Sequence, residues 1–131
     1  MYIYKINITS IYDGDTMTGD IDLGFNIKKE KVKLRLARIN TPEIRTKDLK
    51  EKERGYAARD WLREFVEKYK DAITVNTTKK GKYGRWISEI LISADDCGYD
   101  EELEKYQIDH NGYYCINDIL VAEDYAEYKE Y

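Results

Sequence analysis

Lys31-Val32-Lys33-Leu34-Arg35-Leu36 alternates cationic and apolar side chains residue by residue, the period of a strand with one face toward a core. Arg35 therefore points away from the Val32/Leu34/Leu36 face. The same period extends the strand over residues 27–39. Upstream, Tyr2, Tyr4, Ile6, Ile8 and Ser10 alternate with Ile3, Lys5, Asn7 and Thr9 as a first strand. Asp13-Gly14-Asp15 then breaks the pattern with turn chemistry, residues 16–22 form a second strand, and Leu23-Gly24-Phe25-Asn26 turns the chain into the third. Downstream the period changes. Tyr56, Ala57, Trp61, Leu62, Phe65, Val66 and Tyr69 recur at three-and-four spacing, which predicts an amphipathic helix over residues 52–70. Strands resume at 72–77 and 85–92 around the loop Lys79-Lys80-Gly81-Lys82-Tyr83-Gly84. An acidic, turn-rich excursion follows, and then a second helix capped by Asn117 that runs to about Glu123.

Three strands, a helix, two strands and a closing helix do not make a parallel sheet, because only one helix lies between strands. The expected class is α+β, mainly β: a five-stranded Greek-key barrel with packed helices. At 131 residues and 42% hydrophobic content the chain suits one packed core, so a single domain over 1–131 is expected. No apolar run of about 18 residues is present. Met1-Tyr2-Ile3-Tyr4-Lys5 has no signal-peptide pattern, and the sequence as given reads as cytoplasmic.

The net charge of −4 divides unevenly. Residues 1–94 carry 20 Lys and Arg against 14 Asp and Glu, whereas residues 95–131 carry 2 against 12. A basic body permits phosphate binding, and the acidic third weighs against strong nonspecific affinity for duplex. Cys97 and Cys115 could bridge, but without an export signal reduced thiols are expected. With His110, read as a loop residue, they do not supply a four-ligand zinc site.

Three pieces suit phosphate chemistry. Asp13-Gly14-Asp15-Thr16 places a carboxylate at a strand start, where Asp15 can approach a hard cation. Asn40-Thr41-Pro42-Glu43 stiffens a loop with the only proline in the chain directly before a carboxylate. Lys82-Tyr83-Gly84-Arg85 sets a guanidinium at a strand entrance. Phosphodiester hydrolysis needs an activated water, positive charge around the five-coordinate phosphorus, and a cation to organise both. Arginine suits the second task because its fork donates two hydrogen bonds while staying charged. Each piece alone has a bland reading as a turn, a loop or a solvated strand face.

In order, Asp13-Gly14-Asp15-Thr16, Leu34-Arg35-Leu36 through Ile39-Asn40-Thr41-Pro42-Glu43, Gly55-Tyr56-Ala57-Ala58 and Lys82-Tyr83-Gly84-Arg85-Trp86 resemble the staphylococcal nuclease family, over roughly residues 9–126. The resemblance implies an OB-fold barrel and calcium-dependent hydrolysis of DNA or RNA. Carried over by matched position, Asp15 binds the cation through its carboxylate and Thr41 through its backbone carbonyl. Glu43 holds or deprotonates the attacking water, Arg35 and Arg85 neutralise the phosphoryl oxygens, and Tyr83 with Lys82 contacts substrate. The family usually has aspartate at the position of Asn40, so this chain offers the ion a neutral oxygen there and weak calcium binding is expected.

Residues 94–115 form an acidic insertion where the family has a short turn, and the chain stops soon after its second helix, where the family often continues into a third. The alternative function is a catalytically weak or inactive nucleic-acid-binding or scaffold module. Tyr56 and Tyr69 are expected in the core, and Tyr125, Tyr128 and Tyr131 are candidates for base stacking.

Overall fold

The computed structural model describes residues 3–98, 100–109 and 111–129, apart from the side chain of Lys82. Strands β1 (Tyr4–Asp13), β2 (Thr16–Asp22) and β3 (Lys28–Leu36) form an antiparallel meander in which Met17 faces Leu34 and Thr18 faces Lys33. A short strand β4 (Ile39–Asn40) leads to helix α1 (Leu49–Lys68), followed by the antiparallel pair β5 (Ile73–Lys80) and β6 (Trp86–Ser93). Strand β5 returns to β1 at Val75 and Thr74, and β6 lies parallel to β3 with Leu34 opposite Trp86 and Arg35 opposite Ile87. The closed order β1-β2-β3-β6-β5 is the five-stranded OB barrel the sequence predicts. Its interior is filled by Met17, Leu34, Leu36, Val75, Ile90 and Ile92, and α1 with its C-cap residue Tyr69 covers one end through Leu62, Phe65 and the tyrosine ring. Trp61 stacks on Phe65 at 4.7 Å and on Tyr125 at 5.2 Å, fixing the C-terminal segment to the helix.

Several boundaries differ from the sequence reading for identifiable reasons. Strand β1 runs three residues further because two bulges, between Ile8 and Ser10 and between Ile11 and Asp13, absorb the loss of alternation. The third strand stops at Leu36 rather than at residue 39. Arg38 takes φ +66°, held there by hydrogen bonds from its guanidinium to Glu89 and Asp118, and β4 pairs instead with β8 (Glu127–Tyr128). Helix α1 begins earlier than residue 52 because the Asp48 carboxylate accepts from the Lys50 and Glu51 N–H groups.

The segment after β6 is folded. Helices α2 (Ala94–Cys97) and α3 (Glu101–Glu104) and strand β7 (Tyr113–Cys115) extend β6 and bury Leu103 in the common core. Glu102 pairs with Lys68 at the end of α1. His110 and Tyr131 lie outside the described residues. Helix α4 (Ile116–Ala122) has Cys115 at its N-cap with no side-chain cap, so Asn117 is not the cap. It is fully buried. Its Oδ1 accepts from the Ile90 N–H at 3.1 Å, and its Nδ2 donates to the Ala37 and Ser88 carbonyls at 3.0 and 3.1 Å. Tyr69 is buried as expected. Tyr56 instead lies exposed beneath the Arg59 guanidinium, 4.6 Å from its ring centroid. Cys97 and Cys115 are both free thiols. Burial and the Glu89 carboxylate, 3.0 Å from Sγ, push the Cys115 thiol up. Among the described residues no helix is long and apolar enough to cross a membrane.

Candidate functional site

The tight turn between β1 and β2 delivers Asp15 to one end of the barrel. Gly14 serves close approach here, since its φ is not positive: a Cβ would lie 2.7 Å from Thr41 Cγ2 and 3.1 Å from Ala58 Cβ. Asp15 is 7% exposed, and both its oxygens are engaged. Oδ2 accepts from the Thr41 N–H at 3.0 Å and lies 3.2 Å from Arg35 Nη2, while Oδ1 accepts from the Thr16 hydroxyl at 3.2 Å. Arg35 is 8% exposed and is held by its own strand end. Nη1 donates to the Leu36 carbonyl at 2.8 Å, and Nη2 donates to the Ile39 carbonyl at 3.1 Å and to Asn40 Oδ1 at 3.3 Å. A guanidinium desolvated this far needs such partners, and the break in the chain after Leu36 supplies them.

Burial acts to raise the Asp15 carboxyl. The hydrogen bond with Asp13, the Arg35 guanidinium and the Thr41 N–H outweigh it and hold the group below its ordinary value. Asp13 takes the opposite course. Desolvation, with the hydrogen bond and charge of Asp15, pushes it up to about 7. The two neighbouring carboxyls are thus pushed in opposite directions, Asp15 down by its hydrogen bonds and the Arg35 charge and Asp13 up chiefly by burial.

Thr16 also lines an adjacent open depression of about 420 Å³ with Tyr12, Met17, Lys33, Tyr83 and Arg85. Arg85 precedes Trp86, whose Cα faces Leu34, so the start of β6 brings it alongside the end of β3 that carries Arg35. Its guanidinium lies 5.8 Å from the Tyr83 ring centroid, and its Nε is buried without a hydrogen-bond partner among the described residues. Tyr83, at φ +62°, holds its ring out to solvent at 86% exposure. Position 83 reads as a loop residue in the sequence, but its left-handed backbone is what aims the ring across Arg85.

On the other side, Asn40, Thr41 and Pro42 line a groove of about 450 Å³ with Glu51, Arg54 and Ala57 of α1 and residues 124–127. Glu43 is exposed on the loop that follows. That loop is seated on Gly55, where a Cβ would lie 2.8 Å from the Pro42 carbonyl oxygen and 3.0 Å from that of Glu43.

Asp15, Arg35, Asn40 and Thr41 therefore come together, with Arg85 and Tyr83 in the depression that shares Thr16. Glu43 stands apart: among the described residues no hydrogen bond or ion pair joins it to either arginine. Thr41 meets Asp15 through its backbone N–H. The side chain of Lys82 lies outside the described residues. Sequence reasoning missed Tyr12, Thr16 and Lys33 as lining residues. Thr16 closes the Asp13-Gly14-Asp15-Thr16 motif and Lys33 shares the outward alternation of Arg35, which was the available signal. Among the described residues no group of three or more His, Cys, Asp and Glu side chains is arranged to hold a metal ion.

No curated protein matches the chain. Residues 33–131 match the family model described as staphylococcal nuclease homologue, a span that includes Arg35, Asn40, Thr41, Glu43, Tyr83 and Arg85 and leaves Asp15 upstream of it. A match over this share of the chain, on a closed five-stranded barrel, shows that the protein belongs to the staphylococcal nuclease homologue family.

Proposed function

We propose that the protein is a metal-dependent nuclease that hydrolyses phosphodiester bonds of DNA or RNA, with calcium as its cofactor. The observation that carries this reading is the orphaned, buried Nε of Arg85 in a depression whose wall, Thr16, hydrogen-bonds the same carboxylate that pairs with Arg35. A buried donor without a partner costs free energy unless a ligand completes it, and an anionic phosphoryl oxygen is the complement of a guanidinium N–H.

The oxygens that would face a cation are the Asp15 carboxylate and Asn40 Oδ1, both of which now lie against Arg35 Nη2, with the Thr41 carbonyl and the buried Thr41 hydroxyl, which bears on Asp15. An all-oxygen set of this kind fits a hard divalent ion. When bound, the ion supplies Lewis-acid polarisation of the phosphoryl group and lowers the pKa of an attacking water. Arg35 and Arg85 bind the phosphate from two sides and stabilise the charge that grows on its equatorial oxygens. Glu43, exposed on its loop, takes the proton of the water as general base. Tyr83 and Lys82 hold the neighbouring phosphate or base. Asp15 keeps Arg35 in place as well as facing the ion, and Thr41 N–H keeps Asp15 in place.

Arg35→Ala, Arg85→Ala and Glu43→Ala are each expected to lower turnover by about 10² or more, typical of lost transition-state donors and acid-base groups. Steady-state cleavage of a labelled oligonucleotide, with circular dichroism as the fold control, measures it. Wild-type cleavage by any one variant removes that residue from the mechanism. A weak or inactive nucleic-acid-binding module is the second reading, favoured by the neutral Asn40 and by the full engagement of Asp15. It predicts binding without turnover in the same assay.

A further inference from the structure

Asp15 and Arg35 form an ion pair, so the pocket that faces a divalent cation has little net charge of its own. A doubly charged ion loses much of its hydration on entering a partly buried site, and neutral oxygens from Asn40 and Thr41 do not offset that loss as a carboxylate does. The Asp13 carboxylate beside Asp15 accepts from the Asp15 N–H at 3.3 Å, so a second carboxylate on the Asn40 side is the missing element.

Strand pairing supplies one. In the antiparallel β4–β8 pair the Cα of Asn40 lies directly opposite that of Glu127. Side chains at directly opposed positions leave the sheet on the same face, with Cβ atoms roughly 4.5–5.5 Å apart. Asn40, Thr41 and Glu127 also line one groove. Thr41, 3% exposed, lines it too, and its Oγ1, which bears on the Asp15 carboxylate, meets no other polar partner among the described residues. Glu127 itself makes no ion pair or side-chain hydrogen bond among the described residues, and its exposed side chain can swing toward Asn40. The other carboxylates of the groove, Glu51 and Asp124, start from the first turn of α1 and from the turn after α4, and neither is opposed to Asn40.

We propose that Glu127 is the second carboxylate ligand of the divalent cation, reaching across the β4–β8 pair from the position opposite Asn40. The inference rests on the reading of Asp15 and Asn40 as cation ligands. Glu127 then carries the charge that position 40 lacks, which makes the C-terminal strand part of the metal site and ties its docking to ion binding.

Calorimetric titration of the whole chain with calcium, in the absence of nucleic acid, tests it. Glu127→Gln is expected to weaken binding at least tenfold with an unchanged melting temperature of the metal-free protein. Glu51→Gln and Asp124→Asn are expected to weaken it less than threefold. Asn40→Asp in the Glu127→Gln background is expected to recover most of the loss, because the two positions serve one ion. Asp15→Asn is the control on the underlying reading: undiminished binding by that variant means the ion is not where the nuclease reading puts it. Loss in Asp15→Asn with wild-type affinity in Glu127→Gln overturns this inference alone. It is equally overturned if the wild type takes up no calcium, if Glu51→Gln is as damaging as Glu127→Gln, or if Asn40→Asp brings no recovery.

Discussion

An added methyl group at Gly55 would press on the Pro42 and Glu43 carbonyl oxygens, which belong to the loop that carries the proposed general base. Within a helix, Ala is favoured over Gly by about 0.5–1 kcal/mol, and the backbone clash opposes that gain. Gly55→Ala is therefore expected to leave thermal stability within about 1 kcal/mol of wild type while the loop shifts by some tenths of an ångström. Misplacing a catalytic group on that scale should cut turnover roughly tenfold. Melting curves and cleavage rates of the one variant check both halves, and a wild-type rate would free Glu43 of any need for this seat. At this scale the sequence is readable where alternation or a scarce residue speaks. Arg35 stands out from Leu34 and Leu36, and Pro42 marks the loop before Glu43. The bonds that hold Arg35 were not readable, because Leu36, Ile39 and Asn40 offer their oxygens only once Arg38 has turned the chain at φ +66°.

Helix α4 shows how an element is placed by one buried side chain. Asn117 satisfies one N–H and two carbonyls on β6 and at the corner after β3, so it locks the helix to the seam where β3 meets β6. Removing the amide strands the Ile90 N–H and the Ala37 carbonyl, while the Ser88 carbonyl keeps the Ala37 N–H, and Asn117→Ala is expected to cost about 3 kcal/mol of stability, since each orphaned group forfeits on the order of 1–3 kcal/mol. Chemical denaturation measures the loss; a change under about 1 kcal/mol would mean that water replaces the amide without penalty. In the sequence Asn117 looks like an N-cap, because a polar residue ahead of Asp118-Ile119-Leu120 carries the signature of a helix start. Position along the chain cannot distinguish a cap from a buried bracket. The early strands and α1 were legible because their periods of 2 and 3.6 are imposed by one-sided burial. The segment after β6 was not, since α2 and α3 are too short for a period to register and, among the described residues 94–115, Leu103 alone is fully buried.

For the molecule as a whole, only the insertion's share of the acidic charge starts away from Arg85, since Asp124 and Glu127 of the same acidic third line the groove beside Asn40. The acidic segment begins at the far end of β6 from Arg85, a strand of eight residues or roughly 25 Å away, about three screening lengths at physiological ionic strength. Its Glu102 is paired with Lys68, so the basic face around Lys33 and Arg85 keeps its attraction for phosphate. The ordered motifs and the barrel agree with the staphylococcal nuclease homologue family, and the proposed function adds chemistry that depends on a bound ion. That dependence is tested most directly by incubating plasmid DNA and a single-stranded RNA with the purified chain in calcium and in excess chelator, beside Arg85→Ala purified in the same way. The account predicts cleavage of at least one substrate by the wild type in calcium, none in chelator, and a loss of about 10² in the variant. Intact substrate in calcium, cleavage that survives the chelator, or equal rates in wild type and variant would contradict it.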